Sequence, residues 1–209
     1  MVRVLVGTSS KHKLEELSRM AEGLPVEIVS PASLPAPLPP VVEDGATFAE
    51  NAVKKAVAWA AASGLPCIAD DSGLSVDALG GAPGVQSARY AGDENAPDRD
   101  AKNNAKLLAE LAGVPPERRG AHYTCALCLA LPDGTTAVVE GEWFGAIAFA
   151  PRGHHGFGYD PLFVAEPATG LTAAELPPEE KNRRSHRGAA MVRLRPLLAA
   201  FATAGRLPR

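Results

Sequence analysis

Residues 2–13 of the 209-residue chain read VRVLVGTSSKHK, and this stretch indicates the class of fold. Its first six residues form an apolar run that ends at Gly7, which predicts a short buried strand. Apolar residues then recur at helical spacing, beginning with Leu14 and Leu17, which predicts a helix up to about residue 23. The chain therefore begins with a strand, a loop and a helix, and α/β proteins place their sites in such loops.

The rest of the chain repeats this unit and adds a hairpin. Asp133-Gly134, between two alternating segments, is a typical hairpin turn. Because hairpins and strand–helix units both occur, we expect an α/β fold with a mixed β-sheet flanked by helices. The expected strands cover residues 26–29, 67–69, 121–131, 135–149 and 162–164; the expected helices cover 48–64 and 97–112, with a final helix capped by Ser185; long loops are expected at 72–97 and 150–161.

Bulk composition limits the classes of function. Hydrophobic residues make up 46% of the chain and charged residues 22%, which is typical of a soluble domain. The net charge of −3 and the pI near 6.0 argue against duplex nucleic acid as a partner. We expect no membrane partner and a cytoplasmic location, because no apolar run approaches about 20 residues and the first residues do not resemble a signal peptide.

The three cysteines suggest free thiols in a reducing compartment, because their number is odd. Cys125-x-x-Cys128 has the spacing of half a zinc site. The surrounding residues predict a strand, however, and residues three apart in a strand point to opposite faces. We therefore expect these two cysteines to be structural.

The loop that follows the first strand is a candidate phosphate site. Thr8, Ser9 and Ser10 offer hydroxyls and backbone N–H groups at a helix start, and Lys13 adds a positive charge. The alternative is an ordinary helix cap with solvated lysines. The G-x-x-x-x-G-K-[ST] phosphate-binding pattern is absent from this loop.

A pair of carboxylates, Asp70 and Asp71, follows the predicted strand at residues 67–69, and Ser72 comes next. Mg²⁺ prefers oxygen ligands and commonly takes one or two carboxylates together with substrate phosphates. Glu43, at the end of a proline-rich segment, is a further candidate ligand. The alternative is a loop closed by an Asx turn.

Residues 156–160 read GFGYD and are a candidate base-binding loop. Phe157 and Tyr159 offer rings on which a base can stack, Gly158 permits close approach of the backbone, and Asp160 can accept hydrogen bonds from base N–H groups. The alternative is a turn with aromatic anchors.

Lys181, His186 and Arg187 lie within one short basic segment. Arginine supplies a planar fork of donors and lysine a compact charge, a combination that suits the oxygens of a nucleotide. The alternative is the basic start of a helix.

Together these segments resemble the inosine triphosphate pyrophosphatase family, whose bacterial members are often called dITP/XTP pyrophosphatases. The matching stretches occur in the family's order and run nearly end to end. One departure is in the first loop, where the family usually has Thr-Gly-Asn and this chain has Thr8-Ser9-Ser10. The matching stretches are residues 8–13, 47–52, 69–76 with 80–84 and 87–90, 156–161, and 185–187.

The resemblance implies one domain over residues 1–209, with an elongated mixed sheet, two lobes and a central active-site cleft, usually as a homodimer. It implies Mg²⁺-dependent hydrolysis of XTP, ITP and dITP to the monophosphate and pyrophosphate. Asp71 would be the catalytic carboxylate, as proton acceptor or metal ligand, with Glu43 as the other acidic metal position and Asp70 beside them. The resemblance further implies substrate contacts from Thr8 to Lys13, Lys55, Ser72, Phe157 to Asp160, Lys181, His186 and Arg187.

Three alternatives remain open at this point. A related pyrophosphatase with a different base preference is the nearest. A nucleotide-binding regulator without turnover is disfavoured, because clustered carboxylates repel phosphates unless a metal intervenes. A module for single-stranded RNA is disfavoured by the acidic pI and by the lack of repeated aromatic platforms.

Overall fold

The structure is a computed structural model that describes residues 1–92, 95–165 and 170–208. Short 3₁₀ turns connect its main elements. None of the helices in these ranges is long and apolar enough to cross a membrane. The strands are β1 (Val2–Gly7), β2 (Val26–Val29), β3 (Cys67–Val76), β4 (Gly120–Ala130), β5 (Thr136–Ile147) and β6 (Phe163–Ala165), and the helices are α1 (Lys11–Met20), α2 (Phe48–Ser63), α3 (Arg99–Glu110), α4 (Pro178–Arg184) and α5 (His186–Ala204).

The six strands form one sheet in the order β2-β1-β3-β4-β5-β6. Strand β1 runs parallel to both β2 and β3, whereas β5 and β6 are antiparallel. The sheet is therefore mixed, and the predicted α/β fold is confirmed.

Local signals in the sequence account for several element boundaries. The side chain of Thr47 caps α2, and the helix ends at Gly64, whose φ of 67° is in the left-handed region that favours glycine. The turn between β4 and β5 is closed by a 2.8 Å hydrogen bond from the Leu131 N–H to the Thr135 carbonyl, with Gly134 at a φ of 88°. The predicted cap and hairpin are both confirmed.

Strand β3 is longer than the sequence predicts. The prediction ended it at residue 69 and began a loop at 72, but the strand continues to Val76. Leu74 and Val76 are fully buried, so packing extends the strand through residues that resemble a turn in sequence. Asp70 and Asp71 consequently lie within the strand and not after its end. The rest of the expected loop contains 3₁₀ turns, and its residues 93 and 94 lie outside the described ranges.

The chain divides into two compact units. The first unit comprises Met1–Asp71, Cys125–Gly141 and Arg187–Arg209, and the second comprises Ser72–Thr124 and Glu142–His186.

The first unit has a separate apolar cluster on each face of its strands. One contains residues of α1, α5 and β1, and the other contains residues of α2 and the opposite sides of β1 and β3. Cys125 belongs to the first cluster and Cys128 to the second, so their sulfurs point to opposite faces. Both are buried, and their placement on opposite faces agrees with the prediction that the two sulfurs do not converge on one metal.

The second unit packs around aromatic residues, including Trp143, Tyr159 and Phe163. Within this unit Arg119 is buried, and its guanidinium donates to the backbone carbonyls of Leu111, Ile147 and Ala148 at 2.8–3.0 Å. These bonds join the end of α3 to the end of β5.

We predict that Arg119→Met lowers the free energy of unfolding by about 2–4 kcal/mol, because several buried carbonyls lose their donor. Urea unfolding followed by circular dichroism measures this change. Arg118→Met, at the exposed neighbouring position, is the control and should stay within about 0.5 kcal/mol of the parent protein. Equal effects of the two substitutions would contradict the role of Arg119.

Candidate active site

Asp70 and Asp71 are consecutive residues of β3, so their side chains point to opposite faces of the sheet. Asp70 is 1% exposed, whereas Asp71 is only partly buried. The two carboxylates therefore have different surroundings although they are neighbours in sequence.

Asp70 is held by positive charge within the first unit. Its Oδ2 atom lies 2.8 Å from Nε of Arg187 and accepts a hydrogen bond from the Cys125 thiol at 3.1 Å. Its Oδ1 atom pairs with the Lys13 ammonium group. Burial alone raises the pKa of Asp70, but the charges and hydrogen bonds of Arg187 and Lys13 outweigh it and hold the pKa well below the ordinary value.

Arg187 joins three elements of the first unit through its guanidinium. Besides Asp70 on β3, it contacts Glu16 on α1, with Nη1 2.6 Å from Oε2, while its own backbone belongs to α5. The sequence grouped Arg187 with base-binding residues. In the structure it is 1% exposed and its guanidinium is engaged by these two carboxylates.

One carboxylate oxygen of Asp71, Oδ2, is buried and has no hydrogen-bond partner in the part of the chain that the structure describes. Burial raises the pKa of Asp71, although the charges of Lys13 and Lys55 and a hydrogen bond from Asn51 act in the opposite direction. A buried carboxylate oxygen of this kind suits a cation or a water molecule that donates to it.

Glu43 precedes α2 in the first unit and pairs with a lysine of that helix. Nζ of Lys55 lies 2.8 Å from Oε1 of Glu43 and donates to the Asp70 carbonyl at 3.2 Å. One turn earlier, Oδ1 of the buried Asn51 accepts a 2.7 Å hydrogen bond from the Gly45 N–H. The helix thus fixes the loop that carries Glu43 and also touches the strand that carries the acidic pair.

The acidic residues do not by themselves form a complete metal site. In the part of the chain that the structure describes, no three His, Cys, Asp or Glu side chains are grouped so that they could hold a metal ion. The unsatisfied oxygen of Asp71 nevertheless fits a hard cation, and Glu43 is the further carboxylate that influences the pKa of Asp71.

The first loop caps α1. Oγ of Ser10 accepts a hydrogen bond from the Lys13 N–H at 3.4 Å, and Oγ1 of Thr8 accepts one from the Ser10 N–H at 3.1 Å. Ser9 is exposed. The cap does not exclude phosphate binding, because a helix start leaves other N–H groups available. Ser72, also proposed from the sequence, is partly buried in β3 beside Asp71.

The loop at residues 156–160, in the second unit, is organised by Asp160. Oδ2 of Asp160 lies 2.7 Å from Nζ of Lys181 and accepts a 2.9 Å hydrogen bond from the Phe157 N–H. Nζ of Lys181 also lies 4.7 Å from the centre of the Phe157 ring. Gly156 is required here, because a side chain at this position would collide with the Asp160 carboxylate. The loop is therefore shaped by an internal ion pair.

The two aromatic residues of this loop have different environments. Tyr159 is 4% exposed in the core of the second unit, where its hydroxyl donates to the Ser87 carbonyl at 2.9 Å. Phe157 is only partly buried. Phe157 can therefore offer a ring face to a ligand, whereas Tyr159 anchors the loop.

His186 begins α5 and is buried in the second unit. Its ring stacks on Tyr123 with centroids 4.6 Å apart and planes inclined by 10°. The Tyr123 hydroxyl donates to Oδ1 of Asp160 at 3.4 Å. One polar cluster thus contains His186, Tyr123, Asp160 and Lys181. The sequence grouped all of these except Tyr123.

Several residues that shape these clusters were not predicted from the sequence. Asn51 lies four residues before Lys55, so helical spacing could have revealed it. Glu16 gave no local signal, because its partner Arg187 is 171 residues away. Asp100 and Asn104, whose side chains contact Gly158, lie in a helix that showed no polar motif.

The fold and the site define an α/β protein whose β3 strand carries an acidic pair flanked by lysines. The Ham1 family model matches residues 4–197. The chain therefore belongs to the Ham1 family, and the resemblance inferred from the sequence is confirmed.

Relatives and solved structures agree with this assignment. The chain is 51% identical to a dITP/XTP pyrophosphatase of Anaeromyxobacter dehalogenans over 95% of its own length and 98% of the relative. It is 52% identical to a dITP/XTP pyrophosphatase of Nocardia farcinica over 97% of each chain. A HAM1 protein from Coxiella burnetii superposes with a TM-score of 0.84 at 40% identity, covering 95% of this chain and 98% of that chain.

We predict that Asp70→Asn lowers the free energy of unfolding at pH 7 by about 3–5 kcal/mol, because it removes one charge of a buried ion pair. The folded pKa of Asp70 lies below its ordinary value of 3.8, so the ionised carboxylate stabilises the fold above that pH. This stabilisation is lost as the pH falls through the folded pKa, so the difference between variant and parent should shrink below about pH 3.8.

Urea unfolding in EDTA at pH 7, 5 and 3.5 measures this difference without any contribution from divalent metals. Asp44→Asn, at an exposed carboxylate that pairs with Lys54, is the control. A penalty for Asp70→Asn that is small at pH 7, or equal at all three pH values, would contradict the prediction.

Proposed function

We propose that this protein is a nucleoside triphosphate pyrophosphatase that hydrolyses non-canonical purine nucleotides to the monophosphate and pyrophosphate. XTP, ITP and dITP are the proposed substrates, and their removal from the nucleotide pool is the proposed role. Membership of the Ham1 family, whose cited relatives are named dITP/XTP pyrophosphatases, carries the proposal. The partly buried Asp71 beside Lys13 and Lys55 supports it, because hydrolysis of a triphosphate needs both a base and positive charge.

Asp71 and Glu43 are the proposed ligands of Mg²⁺. The Oδ2 atom of Asp71 is free of hydrogen bonds to the described residues, whereas the carboxylate of Asp70 is engaged by Arg187 and Lys13. Asp70 therefore serves as the buried anchor next to the metal position, and it is the least suited of the three acidic residues to bind the ion. Bound Mg²⁺ would neutralise negative charge on the phosphates.

Asp71 is also the proposed proton acceptor for the attacking water. Burial raises its pKa, which makes the carboxylate a stronger base. Water activated in this way attacks the α-phosphorus, and pyrophosphate leaves. Positioning and charge stabilisation supply most of the rate in phosphoryl chemistry, so Lys13, Lys55 and the N–H groups at the start of α1 are proposed to hold the phosphates.

The cluster in the second unit is the proposed base-binding region. The Phe157 ring offers a stacking face, and Lys181 and His186 offer donors for a purine oxygen. Hypoxanthine and xanthine carry a carbonyl at C6, whereas adenine carries an amino group that would face a donor. An unmatched buried polar group makes such discrimination large. With Arg187 held by Asp70 and Glu16, His186 is the preferred candidate for the donor.

Pyrophosphate release from ITP, XTP, ATP and GTP, each with Mg²⁺ and with EDTA, tests the proposal. We expect metal-dependent cleavage of ITP and XTP, with the monophosphate as co-product, and slow cleavage of ATP and GTP. Equal rates on all four would reject the account of base selectivity. No release from any of them would favour a nucleotide-binding regulator. Size-exclusion chromatography with light scattering tests the homodimer that the family resemblance implies.

We predict that Asp71→Asn keeps the fold and lowers kcat at least about 100-fold, because the amide cannot accept the proton from water. Steady-state kinetics with ITP and Mg²⁺ measure the loss, and circular dichroism checks the fold. Asp44→Asn, at the exposed residue next to Glu43, should retain nearly full activity. Near-normal turnover in Asp71→Asn would exclude Asp71 as the proton acceptor.

A further inference from the structure

Two side chains of α3 bind the two polar backbone groups of Gly158 from one direction. Oδ2 of Asp100 accepts a 2.7 Å hydrogen bond from the Gly158 N–H. Nδ2 of Asn104 donates to the Gly158 carbonyl at 2.9 Å. Asp100 and Asn104 are four residues apart, so they lie on the same face of the helix. We call this arrangement the α3 clamp.

Gly158 is the one residue of the 157–160 loop that has no side chain with which to fix its position. Its φ of 61° lies in the left-handed region, which glycine adopts readily. Phe157 precedes it, and Asp160, which pairs with Lys181, follows two residues later. The α3 clamp therefore fixes the backbone between the ring and the ion pair proposed to meet the base.

The contact made by Asn104 is directed at this loop. Asn104 is 9% exposed, and within the described residues its Oδ1 atom has no hydrogen-bond partner. The neighbouring Asn103 differs, because it accepts from the Ala91 N–H and donates to the carbonyls of Ser87 and Ala88. Asn103 stabilises a separate turn of the second unit, whereas Asn104 bonds to the candidate base-binding loop.

The loop is held on its other side by different groups. Asp160 binds the Phe157 N–H and Lys181, and the Tyr159 hydroxyl binds the Ser87 carbonyl. Removing the α3 clamp therefore leaves the loop attached but frees the two peptide groups on either side of the Gly158 Cα to rotate. Such rotation would change the direction of the adjacent Phe157 ring without unfolding the unit.

We propose that Asp100 and Asn104 are positioning residues for purine recognition. They hold the backbone of Gly158 so that Phe157 and Lys181 meet the base in a single orientation. This inference rests on the proposed function, in which the 157–160 loop binds the base. It adds two residues that act through the loop backbone and not by touching the nucleotide.

The first measurement tests the clamp itself. Hydrogen–deuterium exchange of the Gly158 amide should be at least about tenfold faster in Asp100→Ala, the scale of one lost hydrogen bond, and also faster in Asn104→Ala. Asp100→Asn keeps an acceptor oxygen and should restore slow exchange. Asp98→Ala, which removes an exposed carboxylate paired with Lys102, is the control and should exchange like the parent protein. Unchanged exchange in both alanine variants would overturn the clamp.

The second measurement tests the role in recognition without relying on turnover. Calorimetry with Ca²⁺ in place of Mg²⁺, so that a divalent cation still screens the acidic residues from the phosphates, gives Kd for ITP and for ATP in each protein. The alanine variants should bind ITP about tenfold more weakly and show a smaller preference for ITP over ATP, whereas Asp100→Asn and Asp98→Ala should resemble the parent. An unchanged preference in the alanine variants, or a parent protein that does not prefer ITP, would overturn the positioning role.

Failure of the proposed function gives a different pattern. A parent protein that binds ITP selectively but releases no pyrophosphate with Mg²⁺ would refute the enzymatic activity and leave the positioning role intact. A parent protein that cleaves ITP, together with alanine variants of normal selectivity, would refute the positioning role alone.

Discussion

The buried ion pair between Asp70 and Arg187 is the constraint on which the first unit depends. A carboxylate that is 1% exposed is costly unless a positive charge compensates it, and Arg187 and Lys13 provide that charge. Because Arg187 also pairs with Glu16, one guanidinium fixes α1, β3 and α5 relative to one another. The geometry around Asp71 follows from this, since Asp71 is the next residue on the same strand.

The pleat of β3 gives two adjacent acids different surroundings. Asp70 pairs with Arg187 and Lys13. The side chain of Asp71 points to the opposite face, where Asn51 donates a hydrogen bond to it and the charges of Lys13, Lys55 and Glu43 act on it. The pKa of Asp70 is thereby held low, while burial raises the pKa of Asp71, which supports the proposal that Asp71 accepts a proton. The same logic applies in the second unit, where Asp160 organises a loop through Lys181 and leaves Phe157 partly exposed.

The sequence predicted those parts of the fold that local chemistry determines. Gly7 ends the first strand, Thr47 and Gly64 bound α2, and Asp133-Gly134 forms the hairpin turn, because each depends on neighbours within a few residues. The predicted length of β3 was wrong, because Ser72 and Gly73 resemble a turn in sequence. Only packing against distant residues shows that the strand continues.

The sequence names candidate site residues but not the contacts they make. Family resemblance grouped Arg187 with base-binding residues, and no local pattern could show that its partner Asp70 lies 117 residues away. A ring in a glycine-rich loop gives no sign of its direction, so the burial of Tyr159 was equally hidden. Residues that act on the backbone, such as Asp100 and Asn104, leave no motif at all.

A double-mutant cycle on the free energy of unfolding tests whether the Asp70–Arg187 pair holds the first unit together. The cycle compares Asp70→Asn, Arg187→Met and the double variant in EDTA at pH 7. If the pair is the organising interaction, the two substitutions should be non-additive by about 1–3 kcal/mol, with the double variant more stable than the sum predicts. Additivity within about 0.5 kcal/mol would show that the two residues stabilise the fold independently and would contradict this view of the site.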